Sequence, residues 1–324
     1  MKTIFIVLFQ SLFWLFLYIK LLLIAFLPIL IYQGCLNVNS VYLEQADKFY
    51  NDREFTLACE YYDKAISETP SNQKALYGKA KSLFNIGKTA EAISFFTLAI
   101  KYDNDFYEAY YNRAYSFLQV DQIDSALIDI NRAIELRDTL SDAFFLRAYL
   151  ESLSGNYEKA INDYNRCISL DPSDSRFYIN RGNVKSSSSD NTGAIEDYTK
   201  AILIDSTNIN SYLSRANEFG IIGNYLLSAN DYEKVLSFNP QNIEVLSILA
   251  ETKIRLNDLE SAEKIYTRII ELTPGNPKLF YSRGLIKIRL GKKTEGCKDL
   301  QTAGKMGLFE AYEQIQKNCG KGKK

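Results

Sequence analysis

The residues best suited to chemistry recur in rows. Arginine appears as Arg113, Arg147, Arg181, Arg215 and Arg283, and aspartate as Asp129, Asp163, Asp197, Asp231 and Asp299, sixteen positions after each arginine. A guanidinium and a carboxylate at fixed spacing imply a partly buried ion pair, which sets the alignment of elements rather than turning over a substrate. The 324 residues contain no histidine, which removes Ser-His-Asp and Cys-His nucleophile systems and every HExxH zinc site. Gly87-Lys88-Thr89 copies the end of a phosphate loop, but Ser82 stands where that loop needs its first glycine, and no strand precedes it. Five cysteines without CxxC spacing offer no metal site. The other carboxylates fall on exposed helical faces. With 38 Lys+Arg against 39 Asp+Glu, nothing favours a nucleic-acid partner. The composition therefore points to a non-enzymatic protein with no cofactor.

These rows belong to a longer cadence. Ala65-Ile, Ala99-Ile and Ala133-Ile recur every 34 residues, and the same step leads to Cys167, Ala201, Val235, Ile269 and Ala303. Eight repeats follow without insertion or deletion: 39–72, 73–106, 107–140, 141–174, 175–208, 209–242, 243–276 and 277–310. Position 8 of each is small (Ala46, Ala80, Ala114, Ala148, Gly182, Ala216, Ala250, Gly284), and so is position 20, as in Ala58, Ala92, Ser228 and Gly296. Position 24 is bulky, from Tyr62 and Phe96 to Leu300. Apolar steps of three and four imply two short helices per repeat, with a break at position 15, where Gly87, Gly155, Gly223 and Gly291 fall. Prolines at position 32 (Pro70, Pro172, Pro240, Pro274) end the second helix. In such a hairpin positions 7 and 23 lie opposite one another. Repeat eight has both partners although repeat seven has neither, so the pairs form within a repeat.

Period, composition and small-large placement together resemble the tetratricopeptide repeat. The resemblance covers residues 39–310 and implies an all-α, right-handed superhelical solenoid of eight helix-turn-helix repeats. A capping helix over 308–319 and a basic tail, 320–324, follow. In arrays of this kind the first helix of each repeat lines the concave face, which carries over to a groove lined by Tyr77, Lys81, Tyr111, Tyr115, Phe145, Tyr149, Asn183, Asn217 and Tyr281. Tyrosine and asparagine suit an extended peptide, since rings offer apolar area and amides satisfy its backbone. The plainer alternative is that the fifth-position tyrosines pack on the neighbouring repeat. The function implied is a scaffold that binds a partner protein or peptide; the alternative is a carrier of unfolded polypeptide or glycan chains.

Residues 1–35 differ in kind. Between Ile4 and Tyr32 the only charge is Lys20, enough apolar length to span a bilayer. The run ends at Gln33-Gly34-Cys35, which resembles a bacterial lipoprotein signal with Cys35 as the lipidated residue, although Tyr32 departs from the usual leucine. A cleaved lipoprotein signal and a retained transmembrane anchor both remain open, with 36–38 as a short linker. Either places the repeats outside the cytoplasm, because Lys2 precedes the run and no Lys or Arg follows before Lys48. There, antiparallel packing of the cap would let Cys297 and Cys319 form a disulfide. Cys59 and Cys167 read as buried packing residues. Ser186 to Ser189 are poor helix formers and mark the softest joint.

Overall fold

The computed structural model describes residues 41–320. The calls on the apolar segment, on Cys35 and on the far end of the basic tail lie outside these residues. Among the described residues every regular element is a helix, and none is long and apolar enough to cross a membrane. The chain packs as two compact halves that divide after Leu150.

Each repeat is a pair of helices, here called A and B. Repeat two is representative, with A over Gln73–Asn85 and B over Thr89–Tyr102. Several A helices start on a side-chain cap: Asn72, Asn208 and Asn242 accept the amides of Ala75, Ser211 and Val245. In repeats one to seven the B helices end at position 30, as at Glu68, Tyr102, Leu136 and Ile204. That end comes two residues before the proline row and is the same where no proline follows, so proline blocks continuation rather than choosing the last residue.

Position 15 is left-handed in all eight corners. Glycine takes it in the even repeats, at Gly87, Gly155, Gly223 and Gly291. Arg53, Asp121, Ser189 and Asn257 take it in the odd ones, with φ between 58 and 67°. The corner is thus fixed by the two helices it joins, and four side chains accept a backbone that L-residues disfavour.

The small rows sit where A and B cross. Ala46, Ala58, Ala80, Ala92, Ala114, Ala126, Ala216, Ala250 and Ala262 are wholly buried. In repeat eight the crossing is tightest: a Cβ on Gly296 would lie 2.6 Å from the carbonyl oxygen of Gly284. In repeat six Ser228 adds a hydrogen bond at the crossing, donating to the Ala216 carbonyl at 2.8 Å. The bulky position 24 closes the space beside each crossing, with Tyr62, Phe96, Ile130, Tyr198 and Leu300 buried. Past repeat eight, a last helix, Glu310–Cys319, covers its B helix, with Ala311 buried beneath.

Candidate functional site

In the N-terminal half the A helices of repeats one to three enclose a hollow of about 270 Å³. Tyr50, Phe84, Tyr111 and Tyr115 form its sides, Phe96 its floor, and Lys81, Asn85 and Asn112 its polar points. Three of these, Lys81, Tyr111 and Tyr115, are groove residues carried over from the resemblance. Phe84 and Tyr115 are tilted against each other with ring centroids 5.6 Å apart. The Lys81 ammonium lies 4.4 Å from the Tyr50 ring centre and 4.8 Å from that of Tyr77. Burial pushes its pKa down from the ordinary lysine value, against the opposing pull of the Asp47 carboxylate. An acceptor brought to Lys81 would restore the hydration its ammonium has lost.

The other groove candidates are placed as follows. Tyr77 lies behind the hollow: its ring packs on Phe106 at 4.8 Å and Phe96 at 5.8 Å, and its hydroxyl accepts from Asn112 at 2.9 Å. Burial drives its phenol pKa upward. Tyr149 is exposed and Phe145 half-buried on the A helix of repeat four, Ser141–Leu153. Asn183, Asn217 and Tyr281 belong to the C-terminal half. There Asn183 accepts from the Tyr198 hydroxyl at 2.8 Å, and Asn217 from that of Tyr232 at 2.5 Å. Asp47 does the same for Tyr62 at 2.6 Å. The ninth-position polar residue therefore satisfies a buried phenol of its own repeat in these three cases, which in the two asparagines occupies the amide oxygen. A signal for this stood in the sequence: where position 24 is Phe96, Ile130 or Leu300, position 9 is Lys81, Tyr115 or Leu285.

In repeats three, five, six and eight the Arg and Asp rows form bidentate pairs inside the repeat. Arg113 Nε and Nη2 donate to Asp129 at 2.6 and 2.8 Å, Arg181 to Asp197 at 2.8 and 2.5 Å, Arg215 to Asp231 at 2.8 and 2.8 Å, and Arg283 to Asp299 at 2.7 and 2.8 Å. Arg147 and Asp163 fall on opposite sides of the division between the halves. The third guanidinium nitrogen reaches the preceding repeat: Nη1 donates to Thr97 from Arg113, to Asn131 from Arg147, to Asn165 from Arg181, to Thr199 from Arg215 and to Thr267 from Arg283. Each acceptor is at position 25. Sequence reasoning missed this row, although a Thr or Asn precedes every arginine-bearing repeat. Burial alone would raise the Asp299 pKa; hydrogen bonds from Arg283 and Lys287 outweigh it and hold the carboxyl below its usual range.

Two carboxylates depart from the expectation that the remaining acids face solvent. Glu151 is buried, accepting from Asn156 at 2.7 Å. Glu218 is 4% exposed; one oxygen accepts from the Ser186 hydroxyl at 2.6 Å, and the other has no hydrogen-bond partner. Together, burial and the Glu218 charge push the Tyr198 phenol up to about 12. Cys297 and Cys319 are joined in a disulfide, Cα atoms 5.8 Å apart, which ties the last helix to repeat eight. Cys167 is buried, whereas Cys59 is only half-buried, because position 21 lies at the edge of the packed stripe. Among the described residues no three Cys, Asp or Glu side chains cluster as a metal site.

Family models described as tetratricopeptide repeat match residues 43–106, 107–139, 175–208 and 243–276, and one described as TPR repeat matches 148–187. No curated protein sequence matches the chain. Among solved structures, the C-terminal part of a TPR repeat-containing protein from Cytophaga hutchinsonii is 16% identical, covers 73% of this chain and 97% of its own, and superposes with a TM-score of 0.65. The Pseudomonas aeruginosa pilF structure is 14% identical, with coverage of 67% and 99% and a TM-score of 0.57. A tetratricopeptide repeat protein from Parabacteroides merdae is 20% identical, with coverage of 74% and 97% and a TM-score of 0.53. At these identities the likeness is one of fold.

Proposed function

Because the chain belongs to the tetratricopeptide repeat family, we propose that it is a non-enzymatic scaffold that holds an extended segment of a partner protein in the hollow of repeats one to three. The observation that carries this reading is the half-buried Lys81 ammonium set among Tyr50, Phe84, Tyr111 and Tyr115. Such a hollow takes an apolar side chain, and Lys81 donates to an acceptor beside it. Asp47 already offsets the lysine charge, so a main-chain carbonyl suits the site better than a carboxylate. Residues 1–35 tether the scaffold to a membrane, through a lipidated Cys35 or a retained apolar helix, with the repeats outside the cytoplasm.

The test is a photo-crosslinking amino acid at Tyr115, which is 40% exposed at the rim, in living cells. Discrete, stoichiometric adducts that disappear when Lys81→Glu is added support the scaffold. A heterogeneous smear of unfolded chains would favour the carrier instead, and no adduct from Tyr111, Tyr115 or Tyr149 would overturn both. For the tether, a clickable fatty acid should label the chain and fail to label Cys35→Ala; membrane-bound chain without label would mean a retained anchor.

A further inference from the structure

Repeat seven breaks the ion-pair ladder and leaves a hole where the ladder runs elsewhere. In repeat six, Arg215 fills the space between A and B, paired with Asp231, bonded to Thr199 and stacked over Tyr212 and Phe219. In repeat eight, Arg283 does the same with Asp299, Thr267 and Phe280. The corresponding residues of repeat seven are Leu249, Ile265, Glu233 and Leu246. Shorter apolar side chains replace a guanidinium and its aromatic partner, and all four line a cavity of about 490 Å³. That volume lies within the ordinary range of ligand pockets.

The cavity is cationic at its mouth. Lys253 occupies the position at which Lys185 and Lys287 reach Asp197 and Asp299, both at 3.0 Å. With no aspartate opposite, it turns to Glu233 at 2.8 Å. Lys264 and Arg268, one turn apart on the B helix Leu259–Leu272, stand exposed on the rim, and neither makes an ion pair. The charged lining residues are thus three cations and one anion, in a chain whose overall balance is −1. Leu236, Leu246, Leu249 and Ile265 give an apolar floor beneath them.

We propose that this cavity is a second binding site, for an acidic peptide segment carrying one large apolar residue. The apolar side chain occupies the volume that an arginine and its ring fill in repeats six and eight, and flanking carboxylates meet Lys264 and Arg268. It differs in chemistry from the hollow around Lys81, whose charge is already balanced by Asp47.

The test uses the full chain and an Asp-Asp-Ser-Phe-Ser-Asp-Asp amide labelled with fluorescein at its N-terminus, read by fluorescence polarisation. Saturable binding is expected, weakened about tenfold or more by Lys264→Glu with Arg268→Glu. The decisive variant is Leu249→Arg with Ile265→Asp, which rebuilds the pair of the neighbouring repeats, keeps the fold and fills the cavity; it should abolish binding. Lys81→Glu should leave binding unchanged, which separates this site from the proposed groove. Equal binding by the rebuilt variant, no saturation with the wild-type chain, or binding of dodecanoate but not of the peptide would each overturn the proposal.

Discussion

Repeats six and seven meet the same packing problem with different chemistry. Both must fill the space between A and B at positions 7 and 23. Repeat six uses Arg215 and Asp231, with a further bond back to Thr199. Repeat seven uses Leu249 and Ile265, and keeps the same small crossing residues, Ala250 and Ala262, wholly buried. Repeat two takes a third course: Lys79 pairs with Asp63 of the preceding repeat and lies 4.0 Å from the centre of the Phe95 ring. The hairpin therefore does not depend on the ion pair. What the arginine adds is a geometric tie between consecutive repeats, whereas the leucine leaves room.

The comparison is broken most forcefully by removing one partner alone. Asp231→Ala strands the Arg215 guanidinium and should cost about 3–5 kcal/mol, while Arg215→Leu with Asp231→Ile, copying repeat seven, should be close to neutral. Hydrogen exchange in the helices Ile209–Ile221 and Tyr225–Phe238 reads both, and equal losses would mean the pair itself stabilises the hairpin. Next in size is the covalent tie: Cys297→Ser with Cys319→Ser opens a bond spanning 22 residues and should cost about 2–4 kcal/mol, localised to repeat eight and the last helix. A smaller effect follows acidification. The Asp299 pKa is depressed in the folded chain, so its contribution is complete above the ordinary aspartate value and is lost as pH falls through the folded one. Protection in repeat eight should therefore drop below about pH 4 before that in repeat seven, which has no such pair; parallel losses would refute the assignment. Smallest is the corner. Asn257→Gly gives repeat seven the residue that repeat six has at Gly223, and should change stability by no more than about 0.5 kcal/mol, since asparagine tolerates a left-handed backbone.

Much of the fold could be read from spacing because each requirement repeats. Small residues at positions 8 and 20 mark a helix crossing, and eight copies separate that signal from accident. The in-register pairing of positions 7 and 23 was readable for the same reason, through the contrast between repeats seven and eight. Other features lacked a visible residue type. The left-handed corner was legible only at four glycines; Arg53, Asp121, Ser189 and Asn257 adopt it under the constraint of their helices, which no local preference announces. The ninth-position asparagines suggested a peptide clamp, yet their oxygens serve Tyr198 and Tyr232, because a buried phenol must find an acceptor nearby. Asn112 enters the hollow from the sixth position of its repeat, outside the rows that the resemblance turns toward the concave face.

The sulfur bridge to the last helix also gives the stack a direction of wear. Arrays of like modules unravel from their ends, and here one end is riveted while repeat one has no covalent clasp among the described residues. Under oxidising conditions the carboxy-terminal end should therefore fray later than it does once the bridge is reduced, so that redox state alone sets how firmly the array is closed on that side.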